Sequence, residues 1–193
     1  MNDQSLETGV IGGVEKRQIV IADYDAGWPT LFRQHADRIA AALGEAALQI
    51  EHIGSTSIPG LAAKPIVDII LVVQDSSDEA AYLPALITAG YELRVREPDW
   101  HEHRMFRTPE RDVHIHVFSD GSPEIARHID FRDWLRVHDD DRYLYEQTKR
   151  RLASEDWPSM NAYADAKTGV IQQITQRIDA ATMMSAQRSS AVP

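Results

Sequence analysis

The sequence contains no cysteine and no long hydrophobic run. The absence of cysteine excludes disulfides, thiol nucleophiles and zinc–thiolate sites, and it fits a reducing compartment. The longest apolar run, residues 66–73, is interrupted by Asp68 and is too short to cross a bilayer. Residues 1–16 show no signal-peptide pattern. We therefore expect a cytoplasmic protein that is not embedded in a membrane.

Positive charge is also scarce, because 20 Lys and Arg residues face 30 Asp and Glu residues and leave a formal net charge of -10. A strongly negative chain repels phosphate backbones at long range, so non-specific nucleic-acid binding is not expected. A local basic pocket for one phosphorylated small molecule remains compatible with this charge. The expected partner is therefore a small-molecule substrate, and the oligomeric state is not predicted.

The 193 residues have the length of one domain with a sizeable core. No linker, internal repeat or low-complexity block divides the chain. We predict one domain over residues 17–182, with flexible ends at 1–16 and 183–193. A helix, two strands and another helix come first, and further strands and then helices follow. This order predicts an α+β fold, with a mixed β-sheet flanked by helices and a helical C-terminal part.

A Gly-Ser turn is the first candidate for chemistry. Residues 53–60 read Ile-Gly-Ser-Thr-Ser-Ile-Pro-Gly and follow a predicted strand. Gly54 permits a tight turn or a close approach of the backbone to a ligand. The hydroxyl and backbone N–H groups of Ser55, Thr56 and Ser57 suit a phosphate group. The alternative is a polar turn whose hydroxyls only cap local backbone groups.

The second candidate is Asp68, a lone carboxylate inside an otherwise apolar strand predicted over residues 65–73. An ionised carboxylate in such a strand is costly unless it pairs with a cation or binds a metal. A structural ion pair is one interpretation, and Lys64 is close in sequence. A metal-binding or catalytic role is the other interpretation.

A pair of histidines on a predicted strand is the third candidate. His114 and His116 alternate with apolar residues over 113–117, which predicts that both imidazoles lie on one face of the strand. Two imidazoles at this spacing can ligate one divalent metal. The alternatives are a polar sheet face or hydrogen bonds to a loop. His101 and His103 lie in a polar segment and are predicted to be solvated.

Basic residues of the C-terminal half are the fourth candidate. Arg132 and Arg136 are four residues apart on a predicted helix and therefore share one face. They suit a substrate phosphate or carboxylate. The alternative is surface ion pairs with Asp133 and with the acidic residues 139–141. Lys149 follows on the next predicted helix.

The run from Ile50 to Asp68 resembles the signature of the GrpB family. The segments 24–29, 114–117, 131–136, 145–149 and 163–167 match that family in order and spacing, so the resemblance covers about residues 18–178. It implies the nucleotidyltransferase fold. In that superfamily a Gly-Ser turn cradles a triphosphate, and acidic residues on neighbouring strands hold two Mg²⁺ ions for in-line attack.

Carried over to this chain, Gly54 and Ser55 match the turn and Asp68 matches the first acid. The second acid position is occupied by Ile70, and the third falls near His114 or His116. One Asp and two His residues suit Zn²⁺, Mn²⁺ or Fe²⁺ better than Mg²⁺.

Three functions follow from the sequence and the resemblance. The first is a transferase that uses ATP or another nucleoside triphosphate, with a divalent metal (Mg, Mn or Zn), for nucleotidyl or phosphoryl transfer to a small acceptor. The second is a nucleotide- or small-acid-binding module without metal-dependent turnover. The third is a different metal- or His-dependent enzyme on the same fold. The residues assigned to the site are Asp68, His116 and Lys64 for catalysis, Gly54, Ser55, Thr56, Ser57, Arg132 and Lys149 for the nucleotide, and Asp68, His114 and His116 for the metal.

Overall fold

A computed structural model of the chain describes residues 9–13, 15–16 and 18–190. Of the two end segments predicted to be flexible, residues 1–8, 14 and 191–193 lie outside the described part, as does residue 17. In the part that is described, Val10 forms an antiparallel bridge with Val95. The backbone N–H of Ile11 donates to the carbonyl of Arg94. Part of the N-terminal segment therefore runs beside the sheet.

Five strands form one mixed sheet: β1 (Gln49–Ile53), β2 (Val67–Val73), β3 (Glu92–Glu97), β4 (His103–Arg107) and β5 (Val113–Ser119). Their spatial order is β1-β2-β5-β4-β3. Strands β2 and β5 are parallel, whereas the other neighbouring pairs are antiparallel. The β2–β5 pair therefore occupies the centre of the sheet.

The described residues also form six α-helices: α1 (Trp28–Leu43), α2 (Leu83–Thr88), α3 (Pro123–Val137), α4 (Asp139–Ala153), α5 (Met160–Ala166) and α6 (Thr168–Ser190). Helix α1 starts with Pro29 in its first turn, where the missing N–H costs nothing, and Gly44 follows its last residue with a positive φ of 55°. None of the helices in the described part is long and apolar enough to span a membrane.

Strand β2 has apolar side chains on both faces because helices cover both sides of the sheet. On one face, Ile69 and Leu71 belong to a core that also contains residues of α1 and α2. On the other face, Ile70 and Val72 pack with Phe118 of β5. Asp68 is the one polar residue of this strand and lies on the second face.

A separate apolar cluster forms the C-terminal helical part. It joins residues of α3, α4 and α6 to the loop that follows the Gly-Ser turn. The cluster consists of Ile58, Leu61, Leu135, Tyr145, Val170 and Ile174. The α+β prediction, with a mixed sheet flanked by helices and a helical C-terminal part, is therefore confirmed.

Candidate active site

A cavity of about 500 Å³ lies against the face of the sheet that carries Asp68. Its other walls come from the N-terminal segment and from helices α3 to α6. Basic side chains far outnumber acidic ones in this lining, although the whole chain is negative. The acidic residues are Glu15 and Asp68, and the basic residues are Lys64, Arg94, Arg107, Arg111, Arg127, Arg132, Lys149 and Lys167.

Asp68, His114 and His116 come together on the sheet wall of the cavity. Asp68 and His114 are direct partners across the β2–β5 ladder, and His116 lies opposite Ile70. The Asp68 Oδ1 atom is 3.5 Å from His114 Nδ1 and 3.8 Å from His116 Nε2. All three candidate ligand atoms lie within 4.8 Å of one another. The geometry thus places the three residues predicted to bind a metal around one point.

The carboxylate of Asp68 is held in its ionised form. Burial raises the pKa of this group, but its contacts with His114 and His116 outweigh that effect and hold the pKa well below its ordinary range. The side chains of these three residues are only partly covered, with 24–30 % of their area exposed. A ligand in the cavity can therefore reach them.

The Gly-Ser turn lies directly against this carboxylate. Gly54 adopts φ 69° and ψ -175°, a backbone region that is essentially restricted to glycine. A Cβ atom at Gly54 would overlap the Oδ2 atom of Asp68 and lie 3.1 Å from its Cβ. The turn therefore needs glycine both for its backbone conformation and for its contact with Asp68.

The hydroxyls of the turn point in different directions. Ser55 lines the cavity and receives a hydrogen bond of 2.9 Å from Lys149 Nζ. Thr56 is buried and donates to the carbonyl of Ile66, and Ser57 donates to the carbonyl of Gly54. Neither Thr56 nor Ser57 lines the cavity. The assignment of Thr56 and Ser57 as nucleotide-binding side chains is therefore corrected, because the local backbone satisfies both hydroxyls.

Lys149 is the most deeply buried cation of the cavity. Its ammonium group donates to Ser55 Oγ and to the carbonyl of Ala62, and it lies 4.7 Å from the ring centroid of Tyr145. Burial lowers the pKa of Lys149 to about 7, and the charge of Lys167 acts in the same direction. An anion in the cavity would favour the charged form of this group.

Two more ammonium groups meet over one aromatic ring on the helical wall. Lys64 Nζ lies 5.3 Å and Lys167 Nζ lies 5.0 Å from the ring centroid of Tyr163. Burial lowers the pKa of Lys167. Lys64 lies in the cavity lining, and its assignment as a catalytic residue stays a prediction.

Arg132 both lines the cavity and forms ion pairs, so both interpretations drawn from the sequence apply to it. It lines the cavity, but its guanidinium donates to Glu51, Asp133 and the carbonyl of His52. Arg136 donates to Asp133 and to the carbonyl of Ser57. The two arginines therefore hold α3 against β1 and the Gly-Ser turn, and their fixed positions shape the cavity.

The second acidic group of the cavity comes from the N-terminal segment. The carboxylate of Glu15 lies 2.8 Å from Arg107 Nη1, 3.4 Å from Arg111 Nη1 and 3.7 Å from Arg94 Nη2. Burial raises the pKa of Glu15, but these arginines outweigh that effect and lower it. Three arginines that surround one carboxylate form an anion site that the chain fills with its own side chain.

Sequence reasoning missed the partner of His116. His103 was predicted to be solvated, and this prediction is wrong because the side chain is buried in β4 and stacks on Phe118 and His116. His103 Nε2 is 3.0 Å from His116 Nδ1, and His103 Nδ1 is 2.7 Å from Glu97 Oε2. Burial lowers the pKa of His103. A useful signal in the sequence was its place at the start of the strand that pairs with β5.

His128 of α3 is a further residue that the sequence did not single out. It lines the cavity and stacks near His116, with 6.5 Å between the ring centroids. Burial lowers its pKa to about 3, so the ring is neutral near pH 7.

The side chains do not fit the two-Mg²⁺ centre that the resemblance implies. Ile70, at the position of the second acid, is fully buried in an apolar cluster with Ile53 and Phe118. The remaining donors around Asp68 are imidazole nitrogens, whereas Mg²⁺ requires oxygen ligands in near-ideal octahedral geometry. This chain therefore offers one carboxylate and two imidazoles at a place where the resemblance implies three carboxylates.

The fold and the cavity define the class of this protein. It has an α+β architecture with a five-stranded mixed sheet, in which a Gly-Ser turn precedes a central strand with an acidic residue, and the adjoining cavity is strongly basic. The chain belongs to the GrpB family, since the sequence pattern of that family, described as GrpB protein, matches residues 18–177.

Individual relatives agree with this membership. A UPF0157 protein of Halalkalibacterium halodurans is 49 % identical over 180 residues, which are 92 % of each chain. A UPF0157 protein of Streptomyces coelicolor is 53 % identical over 172 residues, or 89 % of this chain and 90 % of the relative. The crystal structure of the conserved protein GrpB from Enterococcus faecalis superposes with a TM-score of 0.74 at 31 % identity, covering 82 % of this chain and 96 % of that one.

Proposed function

We propose that this protein binds a nucleoside triphosphate, such as ATP, in the basic cavity and transfers a phosphoryl or nucleotidyl group to a small acceptor. The observation that carries the proposal is the concentration of Lys and Arg side chains around the Gly-Ser turn and Asp68. The positive charges of this cluster repel one another, and a bound anion would relieve that repulsion.

The geometry supports a division of labour among the cavity residues. Lys149 and the turn at Gly54 and Ser55 would hold the phosphate nearest to the sheet, because Lys149 already donates to Ser55. Lys64, from the loop that precedes β2, would neutralise charge on the departing group, because charge stabilisation is the main form of catalysis in phosphoryl transfer. Asp68 and His116 mark the end of the cavity where the reacting group would lie.

A second candidate function is a binding module that takes up a nucleotide or small acid without turnover. The observation that favours it is Ile70, whose burial leaves Asp68 as the one carboxylate on this face of β2. Both candidates predict binding in the same cavity. They differ in whether a bound triphosphate is consumed.

The experiment measures the melting temperature against a panel of nucleotides, each with Mg²⁺, Mn²⁺, Zn²⁺ or chelator. A nucleotide at about 100 times its dissociation constant stabilises the fold by about 2.7 kcal/mol. For a chain of this length that is a shift of about 5–10 °C. Phosphate and pyrophosphate release from the same mixtures, with candidate acceptors added, separates the transferase from the binding module.

Matched variants locate the binding site. Lys149→Met removes the buried ammonium, and Arg151→Met on the same helix removes an exposed cation as a control. We expect Lys149→Met to reduce the nucleotide-induced shift by at least half and Arg151→Met to leave it unchanged. A flat response of the wild type to every nucleotide at millimolar concentration would contradict the proposal, as would equal shifts in the two variants.

A further inference from the structure

A chain of hydrogen-bonded groups leads from Glu97 through His103 to His116. The carboxylate of Glu97 can only accept, so His103 Nδ1–H must donate to Glu97 Oε2 over 2.7 Å. A neutral imidazole has one N–H, so His103 Nε2 accepts the bond of 3.0 Å from His116 Nδ1–H. In the neutral form of His116 this arrangement leaves Nε2, which faces the cavity, as the nitrogen that can bind a metal ion.

This nitrogen points at a carboxylate and not at a donor. His116 Nε2 lies 3.8 Å from Asp68 Oδ1, and His114 Nδ1 lies 3.5 Å from the same oxygen. Both distances exceed those of good hydrogen bonds. Two ligand atoms about 2.0–2.2 Å from one tetrahedral metal lie roughly 3.4 Å apart. The observed separations are thus close to those of ligands that share one cation.

We propose that Asp68, His114 and His116 bind a single divalent transition metal ion of the Zn²⁺, Fe²⁺ or Mn²⁺ class, and that His103 and Glu97 are positioning residues that fix His116 as a ligand through Nε2. Two imidazoles and one carboxylate are a frequent ligand set for such ions, and they leave positions open. Here the open positions face the cavity. A carboxylate and an intervening hydrogen-bond partner behind a ligating imidazole are typical supports of metal sites.

The metal centre does not depend on the identity of the organic ligand. It replaces the two-Mg²⁺ centre of the superfamily, which the side chains at Ile70, His114 and His116 do not fit. The experiment therefore uses metal ions alone, and its failure would leave the nucleotide proposal to be judged by its own test.

The first measurement is metal binding by the full chain after treatment with chelator. Equilibrium dialysis against Zn²⁺, Mn²⁺, anaerobic Fe²⁺ or Mg²⁺, followed by elemental analysis, gives affinity and stoichiometry. We expect about one transition metal per chain and at least 100-fold weaker Mg²⁺ binding. His116→Gln and Asp68→Asn keep the side-chain volume and should each weaken transition-metal binding at least 100-fold. Equal retention by wild type and His116→Gln would overturn the proposal.

The second measurement tests the positioning residues. Glu97→Gln should weaken binding about 10- to 100-fold, and His103→Phe, which keeps the stacking on Phe118, should do the same. Glu92→Gln on the same strand removes an exposed carboxylate and is the matched control. With Co²⁺ as the probe, the visible absorption bands should shift in Glu97→Gln and His103→Phe but not in Glu92→Gln.

A loss of folding does not explain such a shift, because the Co²⁺ spectrum reports the ligand geometry of bound metal. Melting curves of each variant without metal check that the fold is retained. If Glu97→Gln and Glu92→Gln show the same affinity and the same Co²⁺ spectrum, the positioning role is refuted. If all transition metals bind no more tightly than Mg²⁺, the metal centre itself is refuted.

Discussion

The contact between Gly54 and Asp68 leads to a quantitative prediction for Gly54→Ala. The backbone at this position has φ 69° and ψ -175°, and a residue with a Cβ atom there costs on the order of 1–3 kcal/mol. The added methyl group would also overlap Asp68 Oδ2 and lie 3.2 Å from Asp68 Cγ. Asp68 belongs to a central strand, so it has little freedom to withdraw, and such overpacking costs about 1–3 kcal/mol more.

We therefore expect Gly54→Ala to lower the free energy of unfolding by about 2–6 kcal/mol. For a chain of this length the melting temperature should fall by at least about 4 °C. Gly60→Ala is the control, because Gly60 also has a positive φ of 78° but no atom within 4 Å of an added Cβ. Gly60→Ala should lower the free energy of unfolding only by the cost of placing alanine in a left-handed backbone conformation, roughly 1–2 kcal/mol.

Urea unfolding followed by circular dichroism measures both variants. A third protein, Gly54→Ala with Asp68→Ala, removes the overlapping carboxylate and should recover the packing part of the loss while the backbone part remains. A difference below about 0.5 kcal/mol between the free energies of unfolding of Gly54→Ala and Gly60→Ala is within the usual scatter between sites. That result would refute the close contact between the turn and the carboxylate.

Three other results are expected. Burial lowers the pKa of His52 to about 4. Protonation of this group therefore favours the unfolded state, and the free energy of unfolding falls as the pH drops from about 6.5 toward 4. Wild type should lose about 2 kcal/mol more than His52→Gln between about pH 7 and pH 5 in urea unfolding; equal losses would contradict this. Glu15→Gln, which frees the three arginines, should tighten phosphorylated-ligand binding about fivefold in calorimetry, and weaker binding would be the opposite result. Ile70→Asp should lower the unfolding free energy by several kcal/mol without increasing Mg²⁺ binding, because the carboxylate enters an apolar cluster; an unchanged melting temperature would refute this.

The sequence predicted the parts of the site that depend on local periodicity. Alternating residues in a strand face opposite sides, and His114 and His116 indeed share a face of β5 while Val113, Ile115 and Val117 are buried. The position of Asp68 in an apolar strand was also predictable from the sequence. Its direct pairing with His114 was not, because pairing between β2 and β5 depends on contacts between residues that are far apart in sequence.

The prediction failed where the environment of a side chain is set by distant residues. His103 follows polar residues and precedes Arg104, yet Phe118 and His116 from another strand cover it. Thr56 and Ser57 were assigned to a ligand because their hydroxyls suit phosphate, but the same hydroxyls also suit nearby carbonyls. Composition does not distinguish these two uses. The eight basic residues of the cavity lining likewise come from separate elements that the fold brings together.

The two walls of the cavity are built by different kinds of structure. Asp68 and His114 are neighbours in a hydrogen-bonded ladder, so the spacing of the strands fixes their separation. Lys149 and Tyr163 project from α4 and α5, and Lys167 lies between α5 and α6. Substitutions in those helices can change the shape and charge offered to a ligand while the strand-borne groups keep their spacing. The groups that would set ligand preference and the groups that would carry chemistry are therefore held by different kinds of structure, so each set can change while the other is conserved.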